Sequence, residues 1–142
     1  MKYETLLFET QEPGLGVVTL NRPDRLNAMN LQMLDDLYAL YGALEKDDQI
    51  RVLILTGSGR GFCSGADLKD KRLMSEESLK KFASAALHLE HIQTRYSGVI
   101  IGMRRLPQPV IAAVNGAAAG GGMCLALAAD IIIAGPSATF IP

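Results

Sequence analysis

The sequence predicts an α/β domain built from strand–helix crossover units, and three observations carry that prediction. The chain enters through two short β-prone runs, Tyr3 to Glu9 and Leu15 to Leu20, split by the turn signal Gln11-Glu12-Pro13-Gly14. Beyond them, segments with helical spacing alternate with short, nearly continuous apolar runs of the kind found in strands covered on both faces. Twice, such a run leads into a glycine-rich turn and then a helix start, giving the order β-β-α-β-α-β-α-β.

Each element has its own warrant. After the breaker Asn21-Arg22-Pro23-Asp24-Arg25, the positions Met33, Leu34, Leu37, Leu40, Tyr41 and Leu44 recur at three- and four-residue steps, an amphipathic helix capped by Asn30. Arg51 to Leu55 reads as a buried strand, and Gly57 to Leu68 as a glycine-rich loop. A second helix is expected from about Ser78 towards Arg105, burying Leu79, Phe82, Ala86, Leu89 and Ile92, until Pro107-Gln108-Pro109 stops it. Val110 to Val114 is the next strand, and Asn115 to Gly122 the second glycine-rich turn. A helix from Met123 to about Ala129 and a buried strand Ile131-Ile132-Ile133 follow. The apolar ending Ala138-Thr139-Phe140-Ile141-Pro142 is expected to meet further elements, from a longer chain or another subunit.

Composition narrows the function. The 142 residues are 49% hydrophobic and 20% charged, with 14 Lys+Arg against 15 Asp+Glu. Mean hydropathy is +0.17, so a folded core is expected and disorder is not. A formal net charge of −1 provides no basic field to gather nucleic-acid phosphates. Cys63 and Cys124 cannot build a disulfide scaffold, and with His88 and His91 they lack zinc-site spacings. No metal is predicted. A reducing, cytoplasmic setting is expected, without a membrane anchor, since neither a leader pattern nor a membrane-length apolar run of about 20 residues occurs.

The two glycine-rich turns share one design. Backbone N–H groups at such turns point outwards, and a helix N-terminus adds positive potential, so both suit a developing negative charge; glycines also serve there simply to allow positive φ or close packing. The phosphate-binding templates fail: Gly57-Ser58-Gly59-Arg60-Gly61-Phe62 breaks the G-x-G-x-x-G order, and no P-loop occurs. Gly61-Phe62-Cys63-Ser64-Gly65 fits a cysteine version of the hydrolase nucleophile elbow, but the histidines lie on the next helix, where an acid and then a histidine downstream are required. His88 and His91 read as a solvated helix face, the methionines as core, and Arg104 and Arg105 as complements to a helix C-terminus.

Three stretches together carry a resemblance. Asn21-Arg22-Pro23-Asp24-Arg25-Leu26-Asn27-Ala28-Met29-Asn30, Gly61-Phe62-Cys63-Ser64-Gly65-Ala66-Asp67-Leu68, and Pro109 to Gly116 with the triple glycine Gly120-Gly121-Gly122 are similar, in order, to the enoyl-CoA hydratase/isomerase (crotonase) family. The resemblance implies an α/β crotonase-like (ClpP/crotonase) β-β-α spiral, truncated: residues 1–142 would be the N-terminal portion of a single domain whose C-terminal part is absent. It implies an acyl-CoA substrate whose thioester carbonyl sits between the backbone N–H groups of Ala66 and Gly121, which stabilise an enolate-like oxyanion. Gly120 and Gly122 would give the backbone room to approach the thioester, while Arg25, Leu26, Ala28, Ser64, Asp67 and Leu68 match the stretches that line the CoA channel. The resemblance implies no cofactor beyond the substrate's own coenzyme A, and trimers or pairs of trimers.

The departures bear on the reaction. Hydratases of this family carry a glutamate two residues after the triple glycine, where this chain has Cys124, expected here to pack as a small hydrophobe. The second hydratase glutamate would fall just beyond Pro142. A one-carboxylate double-bond isomerase is compatible with Cys124, and the ending Ser137 to Pro142 looks more like isomerase-type members acting on ring-derived acyl-CoAs. A non-catalytic or degenerate acyl-CoA-binding member is the alternative.

Overall fold

The structure, a computed structural model, describes residues 2–74, 80 and 84–142. Strands β1 (Leu6–Glu12) and β2 (Leu15–Leu20) form the expected antiparallel hairpin, turning at Gly14 with φ +90°. A 3-10 turn at Pro23–Arg25 leads to helix α1 (Leu31–Leu44), where Asn30 caps by accepting a 2.9 Å bond from the Met33 N–H. All six apolar positions named for this helix are buried.

The remaining elements are β3 (Val52–Gly57), β4 (Gly61–Cys63), α2 (Lys71–Met74), α3 (Ala85–Arg105), β5 (Val110–Val114), β6 (Ala117–Ala119), α4 (Gly121–Leu127), β7 (Ile131–Ala134) and β8 (Thr139–Ile141). They form two sheets, a five-stranded one in the order β1-β2-β3-β5-β7 and a three-stranded one in the order β4-β6-β8. Apart from the entry hairpin, every ladder is parallel. From β3 onward, each pass of the chain lays one strand in the large sheet and one in the small sheet, and helices join successive passes, which is a β-β-α spiral.

Three differences from the sequence reading have physical causes. The glycine-rich segments and the chain ending hold the short strands β4, β6 and β8, which hydropathy alone does not separate from loops; β4 is fully buried. Strand β7 forms as expected but is exposed along its length, because it is the outer strand of the large sheet and pairs only with β5. Helix α3 buries His88, Val99 and Met103 rather than the expected stripe: Ala86 and Leu89 are exposed, Ile92 is half-buried, and Leu79 and Phe82 lie outside the described residues. His88 is thus part of a packed face, three helical turns before Val99, whereas His91 is on the solvated side as expected.

The core lies between α1, α3 and the two sheets, with Leu20, Met33, Leu34, Phe62, Val99 and Leu125 all essentially inaccessible. Helix α3 is keyed to α1 by Tyr38, whose hydroxyl donates to the Arg95 carbonyl at 2.9 Å, and by an Arg95–Asp35 ion pair. At its end, Arg104 reaches the Ala128 carbonyl (3.2 Å) and Asp130 (2.9 Å), joining α3 to the segment after α4. No described helix is long and apolar enough to cross a membrane.

Candidate active site

The loop after β4 and the turn before α4 meet. Gly65 takes φ +90°, and a Cβ placed on it would lie 2.9 Å from the Ala119 carbonyl oxygen and 3.3 Å from the Gly121 nitrogen. Gly122 allows α4 to sit on β4, since a Cβ there would be 2.0 Å from the Cys63 carbonyl oxygen. Both turns therefore need glycine for close approach as well as for conformation.

The chain between Leu26 and Met29 forms the third side. Leu26 and Asn27 both adopt left-handed backbone, with φ of 50° and 55°. Asn27, fully buried, holds this turn: its amide donates to the Ser58 and Gly61 carbonyls at 2.9 Å each, and its Oδ1 accepts the Arg22 N–H at 2.8 Å. Met29 then pairs with Ala66 in an isolated parallel bridge, donating to the Gly65 carbonyl (2.7 Å) and accepting from the Asp67 N–H (2.9 Å).

A cavity of about 530 Å³ opens where these segments face α3. Met29, Ala66, Gly121 and Cys124 line one side, and Ile92, Gln93, Tyr96, Ser97, Ile100 and Ile101 of α3 line the other. Its size is that of a small-molecule site, and the wall is mostly apolar. Neither the Ala66 N–H nor the Gly121 N–H donates a hydrogen bond among the described residues. Both uncommitted amides belong to residues of the same cavity wall.

The other predicted site residues lie outside that lining. Arg25 and Leu26 present carbonyls that accept from the Ser64 hydroxyl (3.3 Å) and the Ser64 N–H (3.0 Å), which joins these three residues into one backbone-bonded edge. The Ala28 carbonyl accepts from Arg22, Leu68 is 88% exposed, and Gly120, with φ +48°, donates its N–H to the Ile141 carbonyl. Asp67 is tied to Arg22 by a 2.8 Å ion pair. Burial alone would raise its carboxyl, but hydrogen bonds from Arg22 and the Lys69 N–H, with the nearby arginine charges, hold it below the usual carboxylate range.

The α3 wall was missed as a site because Ile92, Tyr96 and Ile100 repeat at four-residue steps, the same signal a core-facing helix gives. Tyr96 contributes more than surface. Its hydroxyl donates to the Met29 carbonyl at 2.6 Å, and burial, reinforced by the charges of Asp70 and Asp67, pushes its pKa up to about 12.

The family profile of enoyl-CoA hydratase/isomerase matches residues 10–141. This chain belongs to that family. Among its relatives, the probable enoyl-CoA hydratase echA12 of Mycobacterium leprae is 42% identical over 138 residues, 96% of this chain and 46% of the relative. The 1,2-epoxyphenylacetyl-CoA isomerase of Escherichia coli is 42% identical over 130 residues, covering 92% of this chain and 47% of that protein. An enoyl-CoA hydratase from Bacillus anthracis superposes with a TM-score of 0.84 at 34% identity, over 97% of this chain and 50% of its own. A monofunctional enoyl CoA isomerase from M. smegmatis gives 0.75 at 43%, over 96% and 52%. The fold is therefore crotonase-like, and the chain spans about half the length of these relatives.

Within the family frame the two cysteines differ sharply. Cys63 is fully buried, and burial pushes its pKa up to about 11 despite a backbone hydrogen bond at Gly65, so the thiol stays protonated. That is the opposite of an activated nucleophile. Cys124 does not pack as a hydrophobe; it is exposed, because α4 turns Leu125 and Ala126 inwards and leaves Cys124 on the cavity wall. No described lining residue carries a carboxylate, and no group of three or more potential metal ligands occurs among the described residues.

Proposed function

We propose that this chain binds an acyl-CoA thioester in the cavity between α3 and the two glycine-rich turns, with the thioester oxygen held by the Ala66 and Gly121 N–H groups. The observation that carries this reading is the pair of uncommitted amides on one apolar wall. Donors placed where charge develops stabilise an enolate more than the ground-state carbonyl, so they lower the barrier for moving a proton at the α-carbon. Arg25, Leu26, Ala28, Ser64, Asp67, Leu68 and Gly120 form the adjoining edge along which the CoA moiety runs, mainly through backbone contacts. No metal or redox group is called upon.

The reaction is hydration or double-bond isomerisation of an enoyl-CoA. Its acid/base carboxylate comes from the part of the family's domain that this chain does not span, since the described cavity lining offers none. Cys124 in place of the hydratase glutamate favours the one-carboxylate isomerisation. The protein acts in the cytoplasm as a trimer or a pair of trimers, and the exposed apolar residues Ile131, Ile133 and Ile141 favour a covered face there. The same lack of a carboxylate favours a second reading, a family member that binds acyl-CoA without turning it over.

The test is conversion of a short trans-2-enoyl-CoA and its 3-enoyl isomer by the purified protein and its Gly121→Pro variant. Proline is tolerated at the first position of a helix and removes the N–H, while its Cβ displaces the flexible end of Met29, whose Cε lies 2.8 Å from that position. Turnover that falls about 10²–10³-fold in the variant supports the oxyanion reading. Binding of acyl-CoA without conversion supports the second reading, and equal turnover by both proteins overturns the role of Gly121.

A further inference from the structure

We propose that Tyr96 is a positioning residue for the oxyanion hole, acting through Met29 on the peptide that carries the Ala66 N–H. The inference rests on the oxyanion reading above and adds to it the group that aims one of the two donors. The Gly65 carbonyl and the Ala66 N–H belong to one planar trans peptide, so they point in opposite directions, and fixing the carbonyl fixes the line of the N–H. That carbonyl accepts the Met29 N–H at 2.7 Å. The Met29 carbonyl in turn accepts two bonds, from the Asp67 N–H at 2.9 Å and from the Tyr96 hydroxyl at 2.6 Å.

Met29 is therefore gripped from the Ala66 side and from α3. Without the Tyr96 bond, its carbonyl would keep only the Asp67 contact, and the Gly65–Ala66 peptide would lean on a segment no longer tied to α3. Gly65 offers little resistance of its own, because a glycine at φ +90° has no side chain to wedge it. Tyr96 itself is not placed to protonate a substrate, since its one O–H is directed at Met29. Its ring forms part of the cavity wall, so a bound acyl group and the aimed amide are referred to the same side chain.

The test compares wild type, Tyr96→Phe and Tyr38→Phe by difference infrared spectroscopy with bound butyryl-CoA carrying ¹³C at the thioester carbonyl. Hydrogen bonding to the carbonyl lowers its stretching frequency, so the band reports the hole directly. Tyr96→Phe keeps the ring and removes only the hydroxyl. Tyr38→Phe removes a comparable hydroxyl between α1 and α3 that does not touch Met29, and so controls for loosened helix packing. The expected result is a band lowered from its position in water in wild type and in Tyr38→Phe, and moved back towards that position in Tyr96→Phe. A lowered band unchanged in Tyr96→Phe, or displaced equally in both variants, overturns the positioning role and leaves the oxyanion reading intact. No binding, or no lowering in wild type, overturns both.

Discussion

Arg22 and Asp67 join the chain before α1 to the loop after β4, their Nη2 and Oδ2 atoms 2.8 Å apart with side chains 19% and 9% exposed. The pair closes around the Met29–Ala66 bridge, because Arg22 also donates to the Ala28 carbonyl and the Asp67 N–H bonds to Met29. Asp67 has its carboxyl lowered in the folded protein, so its stabilisation is complete above the ordinary aspartate pKa of about 3.9 and is lost as pH falls through the lowered folded value. Asp67→Asn is expected to cost about 1–3 kcal/mol at pH 7 in urea unfolding. The gap between variant and wild type should narrow as pH falls through the lowered folded value, where wild-type Asp67 becomes neutral as well.

Asn27 is the most heavily committed polar side chain near the site. Replacing it with Ala removes the bonds to Ser58, Gly61 and Arg22 and leaves a left-handed backbone with no side-chain compensation. A loss of about 3 kcal/mol is expected, read as a lower unfolding midpoint, along with weaker acyl-CoA binding as the Leu26–Met29 turn loosens.

Gly122→Ala places a methyl group 2.0 Å from the Cys63 carbonyl oxygen and 2.8 Å from the Cys63 Cβ. Both neighbours belong to a buried strand and cannot yield, so α4 must lift and carry the Gly121 N–H with it. The expected cost is about 3 kcal/mol in thermal unfolding, and acyl-CoA affinity should drop even where the variant remains folded.

The cysteines should separate in a labelling experiment. Iodoacetamide at neutral pH is expected to alkylate Cys124 and spare Cys63, as peptide mass mapping would show, because one is exposed and the other is a buried thiol with a raised pKa. Bound acyl-CoA should slow labelling of Cys124, which lies on the cavity wall. Cys63→Ala is expected to cost about 1–2 kcal/mol of stability and to leave thioester chemistry otherwise unchanged; loss of ester cleavage with the fold intact would restore the hydrolase reading.

Local signals sufficed for the elements that are regular and self-contained. The hairpin, the Asn30 cap, the buried face of α1 and the strand Val110–Val114 follow from turn chemistry, capping and periodicity, each decided within a few neighbouring residues. Ala66 and Gly121 were legible as a pair only through the family resemblance, since their separation along the chain hides that they share a wall. Tertiary packing alone decided the rest. The short strands β4, β6 and β8 exist because each lies beside another in space, which three-residue segments cannot signal. Helix α3 carried apolar residues on more than one face, and tertiary packing selected His88, Val99 and Met103 for burial while Tyr96 and Ile100 were left to the cavity. Cys124 was decided in the same way: a cysteine suits core and surface alike, and only the way α4 turns Leu125 and Ala126 inwards put it on the wall of the site.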